Sequence, residues 1–129
     1  LGILPTHAEY HMMKRHNSFL LGSFQDMEIV GFKSLFGHTY PDEELTDALF
    51  RVERGVGRHP GTYAEGFRRG GLMATYLIGP LLPLNPPFTR YLLEQMGAKD
   101  VKLAFEDTAM KAYRARVEEF RDEKRGYQY

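Results

Sequence analysis

The sequence predicts a mainly α-helical protein: several short helices joined by Gly/Pro-rich loops, an irregular N-terminal arm and a long charged C-terminal helix. Three observations lead there. Apolar residues in the middle of the chain recur at helical spacing, and the last quarter carries a thin apolar stripe among charges. The 13 Gly and 7 Pro cut the 129 residues into short pieces. Residues 1–38 are read as the arm and residues 39–129 as a small helical domain ending in the charged helix.

In the arm, His7, His11 and Arg15 fall at i, i+4 and i+8 and would share one face of a short helix. Residues 39–55 predict a full helix. Pro41 stands in the first turn, Asp42, Glu43, Glu44 and Asp47 suit the positive end of the dipole, and Arg51, Arg54 and Gly55 suit the other end. Leu45, Ala48, Leu49 and Val52 supply its stripe at i, i+3, i+4 and i+7. After a loop over residues 56–61, Thr62 and Glu65 match a capping box, opening a helix with Phe67, Ala74, Leu77 and Ile78 on or near one face. Gly70 and Gly71 weaken that helix by about 1 kcal/mol each against Ala. Residues 81–87 form a Pro-rich extended connector. A helix restarts at Phe88, with Phe88, Tyr91, Leu92 and Met96 as its stripe and Gly97 as its stop. Asp100 caps the last helix, over residues 101–125, where Leu103, Met110, Val117 and Phe120 share a face. Asp107–Lys111 and Arg114–Glu118 are opposite-charge pairs at i, i+4.

Composition excludes several classes. Lys+Arg is 17 and Asp+Glu is 17, so there is no surplus cation for a phosphate backbone, and no nucleic-acid partner is expected. The absence of Cys removes a disulfide framework, a thiolate metal site and a cysteine nucleophile from these residues. The longest apolar stretch, residues 72–84, is interrupted by Gly79, Pro80 and Pro83, so no transmembrane span is expected. The chain starts at Leu1 and not at Met, which is compatible with a removed targeting segment.

Three constellations have chemical potential. His7 and His11 have the spacing of a helical metal pair, with His16 and Glu9 the near additional ligands. A solvated polar arm accounts for them better, and no metal is assigned. Glu43, Glu44 and Asp47 could act as paired carboxylates, but a helix start explains them without catalysis. Arg51, Arg54, Arg58, Arg68 and Arg69 concentrate positive charge and suit an anion, a lipid headgroup or an acidic partner surface, and a solvated face with dipole-complementing arginines accounts for them equally well. No catalytic, cofactor-binding or metal-ligating set is assigned, and the chain reads as a non-enzyme.

The order of these segments carries a family resemblance. Residues 41–45 (Pro-Asp-Glu-Glu-Leu) and 47–52 (Asp-Ala-Leu-Phe-Arg-Val) come first. Residues 67–72 (Phe-Arg-Arg-Gly-Gly-Leu), Leu82-Pro83 and residues 87–92 (Pro-Phe-Thr-Arg-Tyr-Leu) follow, and a charged tail closes the series. In this order they resemble the ubiquinol–cytochrome c reductase binding protein family, small accessory subunits of mitochondrial respiratory Complex III. Glu53 replaces a usual Pro, the usual Trp is missing, and the first 35 residues find no counterpart. The resemblance implies a non-catalytic subunit on the matrix side of the mitochondrial inner membrane, supporting assembly of an oxidoreductase complex in the respiratory electron-transport chain. Cytochrome b and the core subunits would be its partners, with Arg51, Arg54, Arg58, Arg68, Arg69, Phe88 and Tyr91 as candidate partner or lipid contacts and no cofactor of its own. An accessory subunit of the ATP synthase, Complex I or cytochrome c oxidase is the alternative, followed by a small soluble binding module.

Overall fold

Consecutive residues of a strand point to opposite faces of a sheet, so a strand buried at every position needs cover on both sides. Residues 18–22 (Ser-Phe-Leu-Leu-Gly) are all buried. The computed structural model, which describes residues 2–42 and 47–128, places them in β2 (His16–Phe24), an inner strand of a four-stranded antiparallel sheet. β3 (Met27–Leu35) pairs with β2 along its whole length, from His16 opposite Leu35 to Phe24 opposite Met27. The hairpin turn is Gln25-Asp26, with Gln25 in the left-handed region at φ 53°. On the other side of β2 lie β5 (Phe50–Arg54) and then β6 (Ala64–Glu65), giving the order β3-β2-β5-β6. The register slips between Leu21 and Gly22, where a Cβ on Gly22 would stand 2.4 Å from the Arg51 carbonyl oxygen. Only glycine lets β5 approach that closely.

Two ribbons flank the sheet. β1 (Thr6–Tyr10) pairs with β4 (Gly37–Pro41), and β7 (Phe67–Arg69) pairs with β8 (Leu72–Ala74) around Gly70-Gly71. Gly70 has φ 59°. Three helices complete the described residues: α1 (Leu81–Leu84), α2 (Pro86–Gln95) and α3 (Glu106–Arg121).

The sheet has a core on each face. Leu20, Phe24, Ile29, Phe50 and Val52 pack with Leu49, Leu77 and Phe88. Phe24, Phe50 and Phe88 meet edge-on, with ring centroids 5.1, 5.3 and 6.2 Å apart. On the opposite face, Phe19, Leu21 and Val30 pack with Tyr113, Val117 and Phe120 of α3. Phe19 stacks on Phe120 at 4.2 Å. Asn85, wholly buried between α1 and α2, clasps the helices to the sheet. Its Oδ1 accepts from the Val30 N–H at 2.8 Å, and its Nδ2 donates to the Val30 and Leu81 carbonyls at 2.8 and 2.7 Å.

The mainly α expectation is therefore corrected to a β-rich fold, with eight strands and three helices among the described residues. The arm is not irregular: residues 16–35 are the β2–β3 hairpin at the heart of the sheet. The predicted helix over 39–55 is instead the end of β4, then β5. Phe50 and Val52 are buried while Arg51 and Glu53 are exposed, so the working period there is two. Leu45, part of the supposed helical stripe, lies outside the described residues. Thr62 forms a local turn, accepting from the Ala64 N–H at 3.2 Å, and Glu65 turns inward, so no capping box forms. Gly70-Gly71 is the turn of a hairpin and not a flaw in a helix.

The last two helices match more closely. α2 begins two residues before Phe88, with both prolines in its first turn, and Gly97 follows its end at φ 92°. α3 is shorter than residues 101–125: its N-cap is Phe105, left-handed at φ 54°, in place of Asp100, and the chain turns extended at Asp122. Within the helix Arg116 pairs with Glu119 and Arg121 with Glu118, while Arg90, Glu28 and Arg125 pair with its Glu106, Arg121 and Glu119 from outside.

Replacing Asn85 with Ala leaves the buried Val30 N–H and C=O without partners, at about 1–3 kcal/mol for each orphaned group. Asn85→Ala is expected to lower unfolding stability in urea by more than about 2 kcal/mol. A loss below about 0.5 kcal/mol would show that the clasp is unnecessary.

Candidate functional site

β3 alternates faces like any strand, yet one position that should take an apolar side chain holds Lys33. Its side chain and that of Glu65 in β6 are both 0% exposed. Lys33 Nζ donates to Glu65 Oε2 at 2.6 Å and to the Gly57 carbonyl at 2.5 Å. Glu65 Oε1 accepts from the Thr75 hydroxyl at 2.8 Å and from the Tyr76 N–H at 3.1 Å. Thr75 Oγ1 in turn accepts from the Leu77 N–H at 3.1 Å. One buried ion pair thus ties β3, the loop at Gly57, β6 and the segment after β8. Stripping two charges of water is costly, and close hydrogen bonding of this kind offsets it.

Imidazoles gather beside this pair. The β1–β4 register sets His7 opposite Tyr40 and Glu9 opposite His38, so these four share one face of the ribbon. The His38 ring lies 4.8 Å from His11 and 5.0 Å from His16, centroid to centroid. Tyr40 stacks on His59 at 4.5 Å and on His7 at 5.6 Å. His7 Nδ1 and Asp42 Oδ1 are 2.5 Å apart, and His11 Nε2 is 3.7 Å from Glu9 Oε2. Both ring nitrogens of His16 are shielded from solvent and lack a hydrogen-bond partner among the described residues.

Electrostatics favour the neutral rings. Burial, then the neighbouring His38 and Lys33, hold His16 below the ordinary imidazole value of 6.5, with Glu65 opposing. Burial, then His11, His59 and Lys33, do the same for His38, against Glu9. Neutral imidazoles can accept a proton or a hydrogen bond near neutral pH. The other face of the ribbon, through Ala8, Tyr10, Gly37 and Thr39, borders a cleft of about 410 Å³ that also touches Phe36 and Tyr76.

His7, His11 and His16 are therefore joined by strand and loop contacts and not by a helix. Among the described residues no group of three or more His, Asp or Glu is arranged to hold a metal ion. Glu43 and Glu44 lie outside the described residues, so the carboxylate cluster is not described.

The five arginines are dispersed. Arg51 is exposed on β5. Arg54 binds the end of α3, donating to the carbonyls of Phe120, Asp122 and Arg125 at 2.5, 2.7 and 2.6 Å. Arg58 is buried 3.9 Å from the Phe67 ring centroid and donates to the Gly66 carbonyl at 2.8 Å. Arg68 reaches the Tyr91 hydroxyl at 3.3 Å, and Arg69 the Ile3 carbonyl at 2.9 Å. Phe88 is a core residue, and Tyr91 packs against that core. Sequence reading missed Lys33 and Glu65, 32 positions apart, because no local pattern relates them.

No family model matches the chain. Over 95 residues, 74% of this chain, it is 36% identical to the lipid II isoglutaminyl synthase (glutamine-hydrolyzing) subunit GatD of Staphylococcus aureus. The chain spans 38% of the length of that relative, which is a subunit of an enzyme. This likeness to a bacterial protein overturns the reading as a mitochondrial Complex III accessory subunit. The expected partners, cytochrome b and the core subunits, the inner-membrane location and the respiratory electron-transport role are corrected with it. Among the described residues no helix is long and apolar enough to cross a membrane.

Lys33→Met removes one partner of the buried pair and strands the Glu65 carboxylate, an expected loss of about 3–5 kcal/mol in urea unfolding. Adding Glu65→Gln removes the stranded charge while leaving an acceptor for Thr75 and Tyr76, and should restore part of it. A single-variant loss below about 1 kcal/mol would contradict this account of the pair.

Proposed function

We propose that this chain is a GatD-like element of a glutamine-hydrolysing, amidotransferase-type enzyme. The observation that carries the reading is the 36% identity over 95 residues to a glutamine-hydrolyzing subunit. The reaction is glutamine plus water giving glutamate plus ammonia, and in the relative's name it serves an isoglutaminyl synthase.

Such an amide hydrolysis needs a nucleophile beside a base, with donors for the oxyanion. The 129 residues hold no Cys. Four hydroxyls have structural partners: Ser18 donates to the Phe19 carbonyl, Ser34 to Asn17, Thr75 to Glu65 and Thr89 to the Leu82 carbonyl. The role proposed is therefore that of a supporting wall. The sheet, held by Lys33–Glu65, fixes residues 75–77, and the attacking group comes from elsewhere in the working assembly.

The test is to capture the tagged chain with whatever it assembles with in its source cells, supply L-glutamine, and measure glutamate and ammonia. The assembly is expected to release both in equal amounts, and the isolated 129-residue chain to release neither. A captured assembly inert toward glutamine would contradict the proposal.

A further inference from the structure

We propose that the β1–β4 ribbon is a proton-operated flap: neutral imidazoles hold it against the sheet, and their protonation in mildly acidic solution releases it. The geometry carries this. One face of the ribbon presents His7, Glu9, His38 and Tyr40, and it meets imidazoles from outside the ribbon. His16 comes from β2 and His59 from the loop before β6, while His11 follows β1 directly. Ring contacts join these layers at His38–His16, 5.0 Å, and Tyr40–His59, 4.5 Å. The Thr39 N–H also donates to the Arg58 carbonyl at 3.0 Å.

The charges around the cluster decide what a proton does. From β1, Glu9 faces His11 and His38, and after β4 Asp42 holds His7 at 2.5 Å. From β3, Lys33 contributes a buried cation, and from β6 Glu65 faces it. His16 therefore has His38 and Lys33 as like-charge neighbours against Glu65, and His38 has His11, His59 and Lys33 against Glu9. His16 has no acceptor among the described residues for a proton gained at either ring nitrogen. A second positive charge on adjacent rings repels the first, and the low-dielectric surroundings strengthen that repulsion. Moving the ribbon away from the sheet relieves it, at the cost of the Thr39–Arg58 backbone hydrogen bond.

The pH window follows from the sign of the shifts. His16 and His38 titrate lower in the closed ribbon than the ordinary 6.5, so the open form binds protons more readily. Closure is complete above 6.5 and is lost as the pH falls below that value and through the two closed-state values. The inference does not depend on glutamine chemistry.

Amide hydrogen exchange on the full chain at about pH 7.5 and about pH 5.5, corrected for intrinsic exchange, tests it. Protection in β1 and β4 should fall by about ten-fold or more, with β2 and β3 unchanged. The double variant His16→Phe, His38→Gln should abolish most of that fall. Should the variant fold poorly, NMR titration of the native imidazoles gives an independent readout. His16 and His38 should then gain protons over the same range in which ribbon protection drops. Ribbon protection that is flat with pH, an equal loss in β2 and β3, or titration outside that range would each overturn the flap.

Discussion

A lysine and a glutamate without access to water set the terms for much of this fold. Lys33 and Glu65 come from strands at opposite edges of the sheet, β3 and β6, and meet where neither has solvent as an alternative partner. Each must therefore find its hydrogen bonds in the protein. Lys33 finds the Gly57 carbonyl, and Glu65 finds Thr75 and the Tyr76 N–H. The loop before β6 and the segment after β8 are consequently held in place by electrostatics as well as by packing. The helices depend on a different device, the Asn85 clasp, which joins them to β3 through the Val30 backbone. β3 thus serves both as a wall of the two cores and as the anchor of both polar devices.

The same pair shapes the chemistry nearby. A buried cation beside His16 and His38 biases those rings toward their neutral form, as burial already does. The ribbon carrying His38 then rests on uncharged rings.

How much of this was readable in the sequence depended on whether the deciding contact was local. α2 was readable because its start and stop are local: prolines in the first turn and Gly97 beyond the end. The buried face of α3 was readable through Val117 and Phe120. β5 was not, because Leu49 and Val52 suit a helical period while Phe50 and Val52 suit a strand period. The contact with β2 across Gly22 chose the strand. Gly70-Gly71 was readable as a hairpin turn, but it was placed inside a helix that it would weaken. The candidate site was the least accessible. Its histidines were noticed, at the wrong spacing logic, and its ion pair joins residues 32 positions apart. The arginines are dense along the chain but do not form one surface in the fold. Arg54, Arg58 and Arg68 instead reach different internal partners.

The organising role of the Lys33–Glu65 pair is tested most directly by nitrogen-15 NMR of lysine ammonium groups in the folded chain near neutral pH. Exposed ammonium groups exchange their protons with water too quickly to be seen, whereas one sealed in hydrogen bonds does not. A slowly exchanging Lys33 ammonium signal, in contact with Gly57 and Glu65, is the predicted result. A Lys33 ammonium exchanging as fast as the surface lysines would contradict the account.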